Sequence, residues 1–211
     1  MNLSTSALIV VDVQNGFVRD QSRHVIPAVV HLVQQWKNVG GDVVFTRYLN
    51  YENSPYERLI GWKRMRDAPE TELIAELAPH IPGSIILDKT IYSLFTGEGA
   101  VVVDEHGWTD LVICGIATES CVCKTAVDAF ERNLTPWVVT DACASHAGQE
   151  AHDAGLLVTS RFIGHKQLIT SSDLLEQTLR TSRCAQRPDT LSMRAGHAGW
   201  GGGLEDGEVG A

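Results

Sequence analysis

"TDLVICGIATESCVCKTAVDAF", residues 109–130, reads as a buried strand that runs directly into a helix. Leu111 to Ile116 are apolar without alternation, and three of the six are β-branched, as in a strand covered on both faces. Thr118, Glu119 and Ser120 then offer side chains that cap a helix. The stretch predicts one βα unit. Working outward, "SALIVVD" (6–12), "GDVVFTRY" (41–48), "GSIILDK" (83–89) and "TPWVVTDA" (135–142) repeat the strand pattern, and "KQLIT" (166–170) is a weaker sixth. Between the first two strands, Val25, Val29, Leu32, Val33 and Trp36 recur at helical spacing, with Pro27 in the first turn and Gly40–Gly41 at the end. "TELIAELAPH" (71–80) predicts a shorter helix, and 119–132 and 148–162 predict two more. This alternation predicts an α/β fold: three layers, α/β/α, around a mostly parallel six-stranded sheet.

The chain has 211 residues, 44% hydrophobic and 20% charged, which suits a single core-bearing domain over residues 1–180. Residues 181–211 carry seven glycines from Gly196 onward and little apolar periodicity. They are expected to be a flexible tail or one docked on a partner subunit through Trp200; His197 there reads as solvated. The net charge of −9 argues against nucleic acid and anionic membrane as partners, and fits either a cationic ligand or plain solubility. No apolar run reaches the ~18 residues of a membrane span. The N-terminus lacks a basic leader with a long apolar core, so cytoplasm is the expected location. The five cysteines are odd in number and include no CxxC, so they are expected to be reduced thiols.

In an open parallel sheet, ligands bind beyond the carboxyl ends of the strands. Asp12, Arg47 and Tyr48, Asp88 and Lys89, Thr118 to Cys121, and Asp141 fall there. Cys121 is predicted in the first turn of a helix, where free N–H groups and the helix dipole lower a thiol pKa. The other reading is a packed thiol, since free cysteine is among the most buried residue types. Cys123 lies about 200° further around the helix, and Cys114 reads as core. Any of Asp12, Asp88 and Asp141 is a candidate carboxylate. Asp88 is expected to face away from Lys89, because neighbouring strand residues point to opposite faces, and Asp141 to cap a turn.

Three separated segments, "ALIVVDVQNGFV", "DKTIYSLFTG" and "GIATESCVCKTAVDAF", with "VVTDACAS" as a fourth, resemble the isochorismatase-like hydrolases of the cysteine hydrolase superfamily, which include nicotinamidases and N-carbamoylsarcosine amidases. The resemblance covers about residues 6–180. It implies Asp12 as general base, Lys89 as its charge partner and Cys121 as nucleophile. It also implies a cis peptide between Ile116 and Ala117 and an oxyanion hole from the backbone N–H groups of Ala117 and Cys121. Members often form dimers or tetramers, so a homo-oligomer is expected. Nicotinamidases carry an Asp-x-His metal site after the second strand, where this chain reads "TRYLNYEN"; neither metal nor other cofactor is expected. True isochorismatases split a vinyl ether and lack the cysteine, so Cys121 points to an amide, lactam, carbamoyl or ureido substrate and an acyl-thioester intermediate. The alternatives are vinyl-ether hydrolysis and a thiol redox protein in which Cys123 or Cys143 resolves an oxidised Cys121.

The substrate is expected to be a small molecule met by Phe17, Tyr48, Tyr92, Phe95, Thr118, Glu119 and the 49–69 loop, which carries Tyr51, Tyr56 and Trp62. Phe17 and Phe95 read equally as core. Glu119 reads either as a group that attracts a cation or as a helix N-terminal charge.

Overall fold

A computed structural model describes residues 1–174 and 176. The expectations for the tail 181–211, with His197 and Trp200, and for a boundary at 180 lie outside these residues.

Strands β1 (Ser6–Val11), β2 (Asp42–Tyr48), β3 (Ile85–Lys89), β4 (Asp110–Ile116), β5 (Thr135–Ala144) and β6 (Leu168–Ile169) form one sheet in the order β3-β2-β1-β4-β5-β6, parallel throughout. Every residue of β1 is buried, which is why its run is continuously apolar. Helices complete the three-layer α/β/α arrangement: α1 (Ile26–Asn38) lies against β2 and β5, and α4 (Cys123–Glu131) packs with α5 (Gln149–Ile163) and β5. α1 buries Val29, Leu32, Val33 and Trp36 on one face.

Two helical stretches depart from the sequence pattern. Over 71–80 only Ala75–His80 is helical, and it is a 3-10 turn. Pro79 sits inside it and has no N–H to give to an α-helical ladder. Helix α3 (Gly97–His106) was not legible in "GEGAVVVDEH", whose glycines and valines are poor helix formers. Its ends supply the missing signal: Thr96 Oγ1 accepts from the Gly99 N–H at 3.0 Å, and Gly107 closes the helix in the left-handed conformation.

The strand order places a topological switch between β1 and β4, because the chain runs outward from β1 to β3 and then returns to β1's other side. The two strands meet closely. A Cβ on Gly115 (φ 119°) would come within 2.2 Å of the Val11 carbonyl oxygen, so only glycine fits.

Candidate active site

Asp12 follows β1 at this switch point, fully buried and with φ at 50°, a conformation uncommon for a residue with a Cβ. Thr46 of β2 holds it twice: the threonine Oγ1 donates to Asp12 Oδ1 at 2.6 Å and accepts from the Asp12 N–H at 3.1 Å. Asp12 Oδ2 accepts from Lys89 Nζ at 2.7 Å. The ammonium also donates to the carbonyls of Ile91 and Tyr92, both at 3.0 Å, so its three hydrogens all have acceptors. Strand alternation sorts the neighbours. Lys89 is buried, while Asp88 points outward and takes a bidentate pair from Arg47. Asp141 accepts from the N–H and Oγ of Ser171 near the β6 edge. Of the three strand-end carboxylates, Asp12 is the one that meets Lys89.

Cys121 lies in a π turn, Thr118–Val122, that precedes α4. Neither Thr118, Glu119 nor Ser120 caps it. Ala117 is the N-cap residue, and its carbonyl accepts from the N–H groups of Ser120 and Val122, each at 3.1 Å. The Ile116–Ala117 peptide is cis. The Cys121 sulfur is nearly enclosed and lies close enough to Asp12 and Lys89 for both to act on its ionisation. Its thiol is pushed well above the ordinary range, by burial first and by the Asp12 carboxylate second, with Lys89 opposing. This corrects the expectation of a lowered thiol pKa. One ammonium already balanced by Asp12 does little for a second buried anion, so the shift runs toward the neutral thiol. Burial also draws the Lys89 ammonium down, but Asp12 and Cys121 outweigh it and its pKa is raised.

The other described thiols sit apart. Cys123 is half-buried at the start of α4, and Cys114 and Cys143 are enclosed in β4 and β5. Burial raises both strand thiols; Cys143 is pushed up to about 12, with the nearby Gly115 N–H opposing.

A cavity of about 240 Å³ opens onto Cys121, Ala117 and Ser120. Its walls are aromatic. Phe17 stacks on Trp62 with centroids 5.7 Å apart, and Tyr56 meets Tyr48 at 5.1 Å and Tyr92 at 5.0 Å. The 49–69 loop is a constructed wall. It contains α2 (Pro55–Ile60), capped by Ser54, and Asn50 ties it by donating to the carbonyls of Trp62 and Arg64 and accepting from Ser54 Oγ. Tyr51 points outward, half exposed. Ile60, Glu119 and His146 complete the lining, and burial lowers the His146 pKa, with Glu119 opposing.

Phe17, Tyr48, Tyr92 and Glu119 therefore share one cavity with Cys121, whereas Phe95 and Thr118 do not line it. Phe95 is buried under the Arg132 guanidinium, 4.7 Å from its ring centroid. Thr118 turns to His152, with Oγ1 and Nδ1 2.8 Å apart. Thr46, Gln14 and His146 had no signal beyond their neighbours' motifs. Gln14 is fully buried; its Oε1 accepts from the Tyr48 N–H and its Nε2 donates to the Tyr48 and Thr71 carbonyls, which fixes the end of β2. Among the described residues, no cluster of three or more His, Cys, Asp or Glu side chains is arranged to hold a metal ion. No described helix is long and apolar enough to cross a membrane.

The family model of the Isochorismatase domain matches residues 6–165. The chain belongs to the isochorismatase family. It is 30% identical over 200 residues to the ureidoacrylate amidohydrolase RutB of Variovorax paradoxus, covering 78% of each chain. Among solved structures, the N-carbamoylsarcosine amidase from Thermoplasma acidophilum superposes with a TM-score of 0.69 at 27% identity, over 79% of this chain and 96% of that one. The nicotinamidase PncA from Bacillus subtilis gives 0.69 at 27%, over 78% and 99%. Within the isochorismatase family, then, this chain brings Asp12 and Cys121 together at the β1/β4 switch point, beside a cavity walled by aromatic rings.

Proposed function

We propose that the protein is a cysteine-dependent hydrolase that cleaves a C–N bond of a small molecule, an amide, lactam, carbamoyl or ureido group, through an acyl-thioester. The observation that carries this reading is the buried pairing of Asp12 and Lys89 beside Cys121, which opens onto the cavity. The amidohydrolase names of relatives across the family support it.

A free thiol is about 4.6 pKa units weaker an acid than a free aspartic acid, so a separate proton transfer costs about 6 kcal/mol. With the thiol protonated at rest, proton transfer and attack proceed together. The sulfur bonds to the carbonyl carbon as its proton passes to Asp12, and the C=O electron pair moves onto oxygen. The backbone N–H groups of Ala117 and Cys121 hold that oxyanion. Collapse breaks the C–N bond, and Asp12 returns the proton to the leaving nitrogen. Water then gives a proton to Asp12 and its oxygen to the carbonyl carbon; the C–S bond breaks and sulfur regains its proton from Asp12. The sum is amide plus water to acid plus amine. Lys89 stays charged throughout, so negative charge moves between Asp12 and the oxyanion without adding net charge to the buried site.

The test is hydrolysis of a panel of amides and lactams by wild type, Cys121→Ala and Cys123→Ala. Turnover should fall at least a thousandfold in Cys121→Ala and stay within a fewfold in Cys123→Ala. Equal turnover by wild type and Cys121→Ala refutes the nucleophile, and a dead Cys123→Ala with an active Cys121→Ala moves the role to the other sulfur.

A further inference from the structure

We propose that Glu119 selects substrate charge: the cavity takes an uncharged or cationic aromatic amide and rejects one that bears a carboxylate, such as a ureido acid. The inference rests on the hydrolase reading of the same cavity and names the substrate class within it.

Glu119 is held firmly at the wall. Its Oε1 accepts from Ser145 Oγ at 2.8 Å, and because that hydroxyl oxygen accepts in turn from the Ala147 N–H at 2.9 Å, the Ser145 hydrogen is directed to Glu119. The backbone is fixed from the other side by α5: a Cβ on Gly155 would come within 2.7 Å of Glu119 Cα and N. Glu119 Oε2 is buried and has no hydrogen-bond partner among the described residues. A charge placed at a helix start stabilises the helix, but that role does not call for a carboxylate oxygen buried without a donor.

No lysine or arginine is among the described residues that line the cavity. Lys89 does not line the cavity, and its hydrogens are given to Asp12, Ile91 and Tyr92. The imidazole of His146, whose Nδ1 is also buried without a partner, is held toward its neutral form by burial. Asp12 and Lys89 cancel, which leaves Glu119 as the uncompensated charge on the wall. Its oxygen is shielded, so it acts on a bound molecule by field and not by contact, in surroundings of low dielectric where the field is little screened. The rings of Tyr48, Tyr56, Trp62 and Tyr92 act in the same direction, since aromatic faces attract cations. A carboxylate entering this space has no cation to meet.

Three amides of similar size separate the cases: benzamide, 1-methylnicotinamide (a cation) and 4-carbamoylbenzoate (an anion). Dissociation constants are measured by calorimetry on full-length Cys121→Ala, which binds without turnover, and on the same protein with E119Q. The first protein should bind the cation at least as tightly as benzamide and the anion at least tenfold more weakly than benzamide. E119Q should bring the anion within about threefold of benzamide. Anion binding equal to benzamide in the first protein, no binding of any of the three at millimolar concentration, or an unchanged anion penalty in folded E119Q overturns the inference. If E119Q does not fold, the order in the first protein decides alone. Failure here with amide turnover intact leaves the hydrolase reading standing. Charge selection by a wild type that hydrolyses nothing does the reverse.

Discussion

Replacing Lys89 by Met removes the cation 2.7 Å from a carboxylate with no exposure to solvent. Asp12 keeps Thr46 Oγ1 on its other oxygen, and the carbonyls of Ile91 and Tyr92 lose their donor. Breaking a buried pair from one side costs about 3–5 kcal/mol, because the remaining charge is left without compensation. That is a large share of the about 5–15 kcal/mol that holds a typical domain together. If the cost is the stranded carboxylate, neutralising it should repair the damage. Asp12→Asn added to Lys89→Met should then recover about 2 kcal/mol or more, against a simple sum of two losses. Urea unfolding at pH 7 of wild type, both single variants and the double variant measures the cycle. The Lys89 pKa is raised above its ordinary 10.5, so the stability its ammonium contributes is complete below that value and is lost only as pH climbs through the higher native value; pH 7 lies on the flat part. A Lys89→Met loss below about 1 kcal/mol, or singles and double adding within about 0.5 kcal/mol, would refute the coupling.

Two further outcomes follow from the same geometry. Thr46→Val deletes both contacts to Asp12 while keeping the β-branched shape, and should lower kcat about tenfold or more with KM little changed, since Thr46 is not among the cavity-lining residues; an unaltered kcat in steady-state assays removes Thr46 from its positioning role. The buried thiols make the fold sensitive to alkali. Burial keeps Cys114, Cys121 and Cys143 protonated in the folded chain, while unfolded thiols ionise near 8.5, so above that pH the unfolded state binds fewer protons and stability falls as pH rises. Each thiol contributes about 1.4 kcal/mol per pH unit to that slope. Urea midpoints should decline steeply from pH 8.5 to 10 and less steeply in Cys143→Ala; midpoints level across that range contradict it.

Continuous apolar runs made the sheet legible, because strands buried on both faces leave no alternation to interpret. The α3 segment was hidden because its helix depends on Thr96 and Gly107 at its ends, not on the propensity of its interior. For the site, strand alternation alone separated Lys89 from Asp88. Choosing Asp12 over Asp141 needed either the family resemblance or the coordinates, since each carboxylate ends a strand. The Cys121 shift runs opposite to the expectation for a physical reason: a first-turn position in sequence says nothing of how completely the sulfur is enclosed, and burial is the largest cause of the rise. Thr46 and His146 act through distances between strands and loops that a linear pattern does not record.

The strand order has a consequence for how the molecule can be taken apart. Residues before the α3–β4 turn supply one half of the sheet, β3-β2-β1, and residues after it supply the other, β4-β5-β6. Asp12 and Lys89 belong to the first half and Cys121 to the second. A chain severed at Gly107, where the turn is open, would yield two complementary fragments, each with only part of the proposed site. Hydrolysis regained on mixing them would report their reassembly, which makes the seam between β1 and β4 a natural place to build a split reporter.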